Sequence, residues 1–158
     1  MTTRSTAERP RVSSGEELTL TFTDLLANGQ AVGRVEGVVV FVYGPLPGER
    51  ARVRVATVKS NYVVADLLDV EASCADRVEP FCPVFGECGG CQVQHLRYPA
   101  QLEWKRRIVA DTLERIGKFQ GALVEPAVGM DDPRAYRNKI ALVVDHDAEG
   151  TPSVGFYR

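Results

Sequence analysis

The chain has 158 residues, a net charge of −2 and a hydrophobic fraction of 44%. That length fits one domain or two small ones, and the apolar content is enough for a buried core. No apolar run approaches the ~20 residues of a membrane-spanning helix, and the slightly acidic balance argues mildly against general nucleic-acid binding.

Residues 1–14 are polar, hold Arg4, Arg9 and Arg11, and lack the apolar stretch of a secretory signal. A disordered tail and a cytoplasmic location are therefore expected. From residue 15 to residue 72 short strands alternate with turn signals. Leu18, Leu20 and Phe22 alternate with threonines, as in a half-buried strand. Asn28-Gly29 marks a turn, residues 31–35 a strand, Gly37 a further turn, and residues 38–42 a continuous apolar run suited to a central strand. The Gly44-Pro45-Leu46-Pro47-Gly48 stretch is a loop. Residues 50–58 alternate again, with Ala51, Val53 and Val55 on one face and Arg50, Arg52 and Arg54 on the other; residues 62–70 close the set. Five short strands over roughly 55 residues indicate a small β-barrel of the OB type.

Residues 73–98 are irregular and contain all four cysteines. A helix is predicted over 99–118, with Pro99 in its first turn and Gly117 at its C-terminal cap. Leu102, Val109, Leu113 and Ile116 form its apolar stripe. Residues 136–146 read as a long strand, 147–152 as a turn and 153–158 as the start of a returning strand, with Tyr136 and Phe156 in the core. The fold class is mainly β with one helix. It comprises an OB-like barrel, a cysteine-rich metal loop, the helix, and the start of a second β-rich domain at 134–158. A lone hairpin is marginal in water, so a continuation of this domain is expected.

Cys82, Cys88 and Cys91 lie within ten residues, separated by five and then two. Thiolates so spaced can converge on one metal centre, whereas a disulfide framework usually scatters its cysteines. Iron–sulfur and zinc chemistry both suit such ligands. A redox pair at Cys88 and Cys91 lacks a surrounding βαβ pattern. Cys74 is either a fourth ligand or a small side chain at the barrel exit. His95 is read as structural rather than as a ligand.

Arg50, Arg52 and Arg54, helped by Arg34 and Lys59, form a candidate phosphate-binding stripe; the bland alternative is a solvated strand face. Arg137 and Lys139 either meet RNA or flank a strand. Trp104 is expected to pack, and Lys105, Arg106 and Arg107 to lie on a solvated helix face.

Together these pieces resemble the N-terminal part of the RNA uracil-5-methyltransferase family. Residues 15–72 look like a TRAM domain, an OB-like RNA-binding barrel. Asp76-Arg77-Val78-Glu79-Pro80 leads into Cys82-x5-Cys88-Gly-Gly-Cys91, which resembles the family's iron–sulfur motif. Gln94-His95, Tyr98, Gln101 and Lys105 follow at matching positions, and Tyr136-Arg137-Asn138-Lys139 resembles the opening of the family's central domain.

The resemblance implies a 4Fe-4S cluster, binding to structured rRNA or tRNA, a monomer, and S-adenosylmethionine as methyl donor in the full-length enzyme. It implies a cysteine that attacks C6 of uracil, since C5 alone is a poor nucleophile. No cysteine follows Cys91 and no glycine-rich cofactor turn is seen. The chain is therefore expected to be a fragment, inactive alone, whose fourth cluster cysteine lies beyond residue 158. The alternative readings are a stand-alone metal-stabilised TRAM module that binds RNA and a metal-based redox sensor.

Overall fold

A computed structural model of the chain describes residues 12–156. It divides into two compact units, one ending at Arg77 and the other beginning at Val78.

The first unit is a closed barrel of five strands: β1 (Glu17–Leu25), β2 (Gln30–Val35), β3 (Val38–Tyr43), β4 (Arg50–Val58) and β5 (Tyr62–Ala72). Their order around the barrel is β1-β2-β3-β5-β4, with β4 returning to pair β1. All pairings are antiparallel except β3 with β5. The OB-like expectation holds, and closure leaves no free sheet edge.

Period-two alternation explains the core. Ala51, Val53 and Val55 are buried while Arg50, Arg52 and Arg54 are exposed. On β1, Leu20 and Phe22 point inward, and a register shift between Phe22 and Asp24 reverses the phase so that Leu25 is also buried. The β2–β3 hairpin turns on Glu36 and Gly37, both with positive φ (47° and 83°), as a two-residue primed turn requires. Gly33 serves a different need: a Cβ there would meet Leu20 Cδ1 at 2.6 Å, so only glycine lets β1 and β2 approach this closely.

Residues 12–14 belong to this unit rather than to a tail. Val12 is buried, and the Ser14 hydroxyl donates to the Ala56 carbonyl at 3.1 Å. The rest of the expected tail lies outside the described residues.

Glu49 ties the barrel together. Its carboxylate is fully buried and accepts from Arg77 Nε at 2.6 Å, Arg77 Nη2 at 2.7 Å, the Leu46 N–H at 2.8 Å and the Cys74 N–H at 3.2 Å. Arg77 Nη2 also donates to the Gly44 carbonyl at 2.6 Å. On the backbone, the Phe22 N–H donates to the Glu49 carbonyl and the Gly48 N–H to the Phe22 carbonyl. One ion pair thus joins β1, the loop between β3 and β4, and the segment leaving β5. Burial alone pushes the Glu49 carboxyl upward; the Arg77 guanidinium and the two backbone donors outweigh it, so its pKa falls below the ordinary 4.5.

The second unit contains the cysteine loop, helix α1 (Tyr98–Arg115), an irregular segment and a two-stranded hairpin of β6 (Val143–His146) and β7 (Pro152–Gly155). Several expectations are corrected here. The long strand over 136–146 is reduced to β6, because only its last four residues find a partner. Tyr136 and Phe156 are 63% and 43% exposed, not core. No residue of α1 is fully buried, and of its predicted stripe Val109 is 49% exposed and Ile116, at the cap, 78%. Residues 157–158 of the returning strand lie outside the described residues. Gly117 ends the helix by lack of bulk. A Cβ there would meet the Leu113 carbonyl at 2.8 Å, while Lys118 takes the left-handed conformation (φ 59°).

Replacing Arg77 with Ala leaves Glu49 buried without its partner and is expected to cost about 3–5 kcal/mol, read by denaturant unfolding. Because the Glu49 pKa is depressed on folding, its contribution is present above pH 4.5 and is lost as pH falls through the folded value. The stability advantage of the parent chain over Glu49→Gln should therefore shrink on acidification below pH 4.5. A gap that stays constant with pH would contradict this role.

Candidate nucleic-acid interface and cysteine loop

Residues 82–91 fold as consecutive turns. The Phe85 N–H donates to the Cys82 carbonyl at 3.1 Å and the Cys88 N–H to the Val84 carbonyl at 3.0 Å. The Gly90 N–H points at Cys88 Sγ, 3.4 Å away. A Cβ on Gly90 would meet the Phe156 ring at 3.2 Å and Cys88 Sγ at 3.4 Å, so the glycine permits a close approach.

The polar residues that follow the cysteines hold this loop. Gln94 Oε1 accepts from the Cys82 N–H at 3.3 Å. Gln101 Nε2 donates to the Leu96 carbonyl at 2.7 Å and the Val93 carbonyl at 3.2 Å, fastening the loop exit to α1. His95 is buried with its ring 5.1 Å from that of Phe85. The Tyr98 hydroxyl accepts from the Met130 N–H at 2.9 Å and Arg106 Nε donates to the Val124 carbonyl at 2.8 Å, so α1 also anchors the segment after it.

Cys74, Cys82, Cys88 and Cys91 are all free thiols. Among the described residues no three His, Cys, Asp or Glu side chains come close enough together to hold a metal ion. The donor set nevertheless suits a soft metal centre in kind: three thiols on one short loop, one already facing a backbone N–H of the sort that tunes cluster sulfurs. Cys74 belongs to the first unit, with its N–H committed to Glu49.

The barrel presents two outer faces of different character. On the β1–β4–β5 face, Arg54 pairs with Glu17 at 2.8 Å, Arg52 with Glu17 at 3.4 Å and Arg50 with Glu71 at 3.1 Å. Arg52 and Arg54 also stand in register opposite Asp69 and Asp66 of β5. The Arg54 hydrogen bond pulls the Glu17 carboxyl below its ordinary value, which favours its charged form. The arginine stripe is real in geometry, but its charge is balanced by acids on both neighbouring strands.

The β2–β3–β5 face differs. Arg34, Val39 and Tyr62 lie in one row across three strands, and Val32, Phe41 and Val64 form the next. Phe41 and Tyr62 meet edge to face at 5.4 Å, and Tyr43, one step further along β3, is 55% exposed. Lys59 stands exposed in the β4–β5 turn, where its N–H donates to the Tyr62 carbonyl. Sequence reading missed these aromatics because residues 38–43 are apolar on both faces, which hides their alternation. The buried Val40 and Val42 reveal it. Arg137 and Lys139 are exposed in the irregular stretch before β6, and the Arg137 guanidinium lies over the Tyr136 ring at 5.8 Å.

Residues 11–68 match the TRAM domain family. The chain carries a TRAM domain. It is 42% identical over 147 residues to an uncharacterized RNA methyltransferase of Halalkalibacterium halodurans, covering 93% of this chain and 32% of the relative. It is 38% identical over 154 residues to an uncharacterized RNA methyltransferase of Bacillus cereus, covering 98% and 33%. A solved structure, the Pyrococcus abyssi tRNA (uracil-54, C5)-methyltransferase in complex with S-adenosyl-L-homocysteine, is 33% identical with a TM-score of 0.42. That match covers 63% of this chain and 21% of that one. The resemblance to RNA methyltransferases drawn from the motifs is borne out. The TRAM-bearing chain spans about a third of the length of the curated relatives it matches. Among the described residues no helix is long and apolar enough to cross a membrane.

Gln101→Ala removes two hydrogen bonds, each worth about 0.5–1.5 kcal/mol. Amide hydrogens of residues 82–96 should then exchange faster while those of the barrel do not change. Unchanged exchange in the loop would show that Gln101 does not hold it.

Proposed function

We propose that this chain is the RNA-recognising portion of an S-adenosylmethionine-dependent RNA uracil C5-methyltransferase, and that Cys82, Cys88 and Cys91 ligate an iron–sulfur cluster within it. The observation that carries this reading is the colinear likeness to RNA methyltransferases over 93% of the chain, with the TRAM barrel and the cysteine loop in one sequence. In this reading the methyl transfer is an activity of a protein of the relatives' full length, of which this chain spans about a third.

In this reading the barrel grips structured RNA. Arg34 and Lys59 supply its phosphate contacts; on the second unit, taken by itself, Arg137 and Lys139 are exposed cations open to RNA. Arg50, Arg52 and Arg54 contribute less, because phosphates would have to compete with Glu17 and Glu71 for them. The three cysteines provide three of the four thiolates that a 4Fe-4S cluster commonly takes. Such a cluster, when bound, supplies a rigid cross-link for a loop with little apolar core of its own. Gln94, Gln101 and the Gly90 N–H orient the loop for it.

Binding of a structured RNA should weaken as salt rises, with log K falling by roughly 0.7–0.9 for each phosphate contacted per decade of salt. Fluorescence anisotropy across a salt series measures this; an affinity independent of salt, or no binding at all, would remove RNA recognition from the account. Chain purified without oxygen should contain iron and acid-labile sulfide, and Cys88→Ser should lose most of both. Equal iron in parent and variant would refute the ligand assignment. Zinc in place of iron would keep the ligands and change the metal.

A further inference from the structure

The arginines of β4 stand where a phosphate could reach them. The side chains of Arg50, Arg52 and Arg54 are 62%, 49% and 53% exposed, and they project from one face at every second residue. Left alone, three such cations would attract any phosphate backbone, because counterion release carries no sequence information. Instead, Glu17 of β1 takes Arg54 at 2.8 Å and Arg52 at 3.4 Å, and Glu71 of β5 takes Arg50 at 3.1 Å. Glu71 is itself held from the far side of β4, since the Thr19 hydroxyl of β1 donates to its Oε1 at 3.4 Å. Asp66 and Asp69, in register with Arg54 and Arg52, add two more exposed acids. Three cations thus face four acids, and these positions together carry a net negative charge. Ion pairs this exposed add little to stability, so their main consequence is what the face attracts or refuses.

We infer that Glu17 and Glu71, backed by Asp66 and Asp69, are specificity-determining residues that keep nucleic-acid phosphates off the β1–β4–β5 face. The inference rests on the RNA-binding reading above and adds how the barrel refuses unspecific contacts. A phosphate approaching this face must displace a carboxylate already seated on the guanidinium, and it does so against repulsion from the neighbouring acids. Discrimination of this kind needs a repulsive element beside the attractive one. Arg34 and Lys59 have no acid in ion-pair contact among the described residues, so nothing similar holds phosphates away from them. The four acids therefore govern where the barrel binds. Without them the arginine stripe becomes a second surface that takes a phosphate backbone of any sequence, duplex included.

The test uses the whole chain and a labelled mixed-sequence RNA duplex, followed by fluorescence anisotropy across a salt series. One variant carries Glu17→Gln and Glu71→Gln; a control carries Glu114→Gln and Glu125→Gln. Both lose the same negative charge, the first from the arginine face and the second from the other unit. All four side chains are exposed, and circular dichroism verifies that each variant is folded. The Glu17/Glu71 variant should bind the duplex about ten-fold tighter than the parent at low salt, with a salt slope steeper by roughly 1–3, as three freed arginines allow. The control should stay parent-like. Replacing Arg50, Arg52 and Arg54 with Gln in the parent should leave its affinity for structured RNA unchanged. Parent-like duplex binding by the Glu17/Glu71 variant would overturn the inference. An equal gain in the control would do so too, by tracing the effect to net charge alone. So would a loss of structured-RNA affinity in the arginine variant, since those side chains would already be in contact. A parent that binds no structured RNA, with the duplex gain still present, would remove RNA recognition and leave the rejecting face standing.

Discussion

The barrel depends on a single buried carboxylate. Glu49 enters the interior charged, which costs heavily unless its lone pairs are satisfied. Two nitrogens of Arg77 and two backbone N–H groups satisfy them, and the same guanidinium reaches the Gly44 carbonyl. The partners come from the loop between β3 and β4 and from the segment after β5, while the Glu49 backbone binds β1. Apolar burial by Val40, Val42, Val53 and Val63 drives collapse, but it does not specify where the loops go. The Glu49–Arg77 pair does, and it determines where the chain leaves the barrel.

With that frame fixed, the same alternation that fills the core sorts the outer surface into two kinds of face. β4 sends its arginines outward between strands rich in acid, so cross-strand pairing neutralises them. β3 sends out a phenylalanine and a tyrosine between strands that offer Arg34, Tyr62 and apolar side chains. A basic stripe in sequence is therefore a poor guide to local charge, because register decides which charges meet.

Much of the fold was legible. Turn residues located five strands, alternation gave the inward faces of β1 and β4, and Pro99 marked the start of the helix. The order of the motifs carried a resemblance to a TRAM domain and to RNA methyltransferases, which the comparisons bear out. Other features were out of reach for physical reasons. Glu49 and Arg77 are 28 residues apart, and nothing local tells a buried carboxylate from a surface one. The β1 phase reversal depends on a bulge that only pairing reveals. Residues 136–142 have strand-like composition, yet strands need partners, and only β6 and β7 pair. The outward aromatics of β3 were concealed by apolar residues on both of its faces.

The account's central claim is that RNA meets the barrel at Arg34 and Lys59 rather than on the arginine stripe. Backbone amide NMR of the isotope-labelled chain, titrated with a structured RNA, tests this residue by residue. The account predicts that resonances of Arg34 and Lys59 move while those of Arg50, Arg52 and Arg54 stay in place. Shifts concentrated on β4, with Arg34 and Lys59 unaffected, would contradict it.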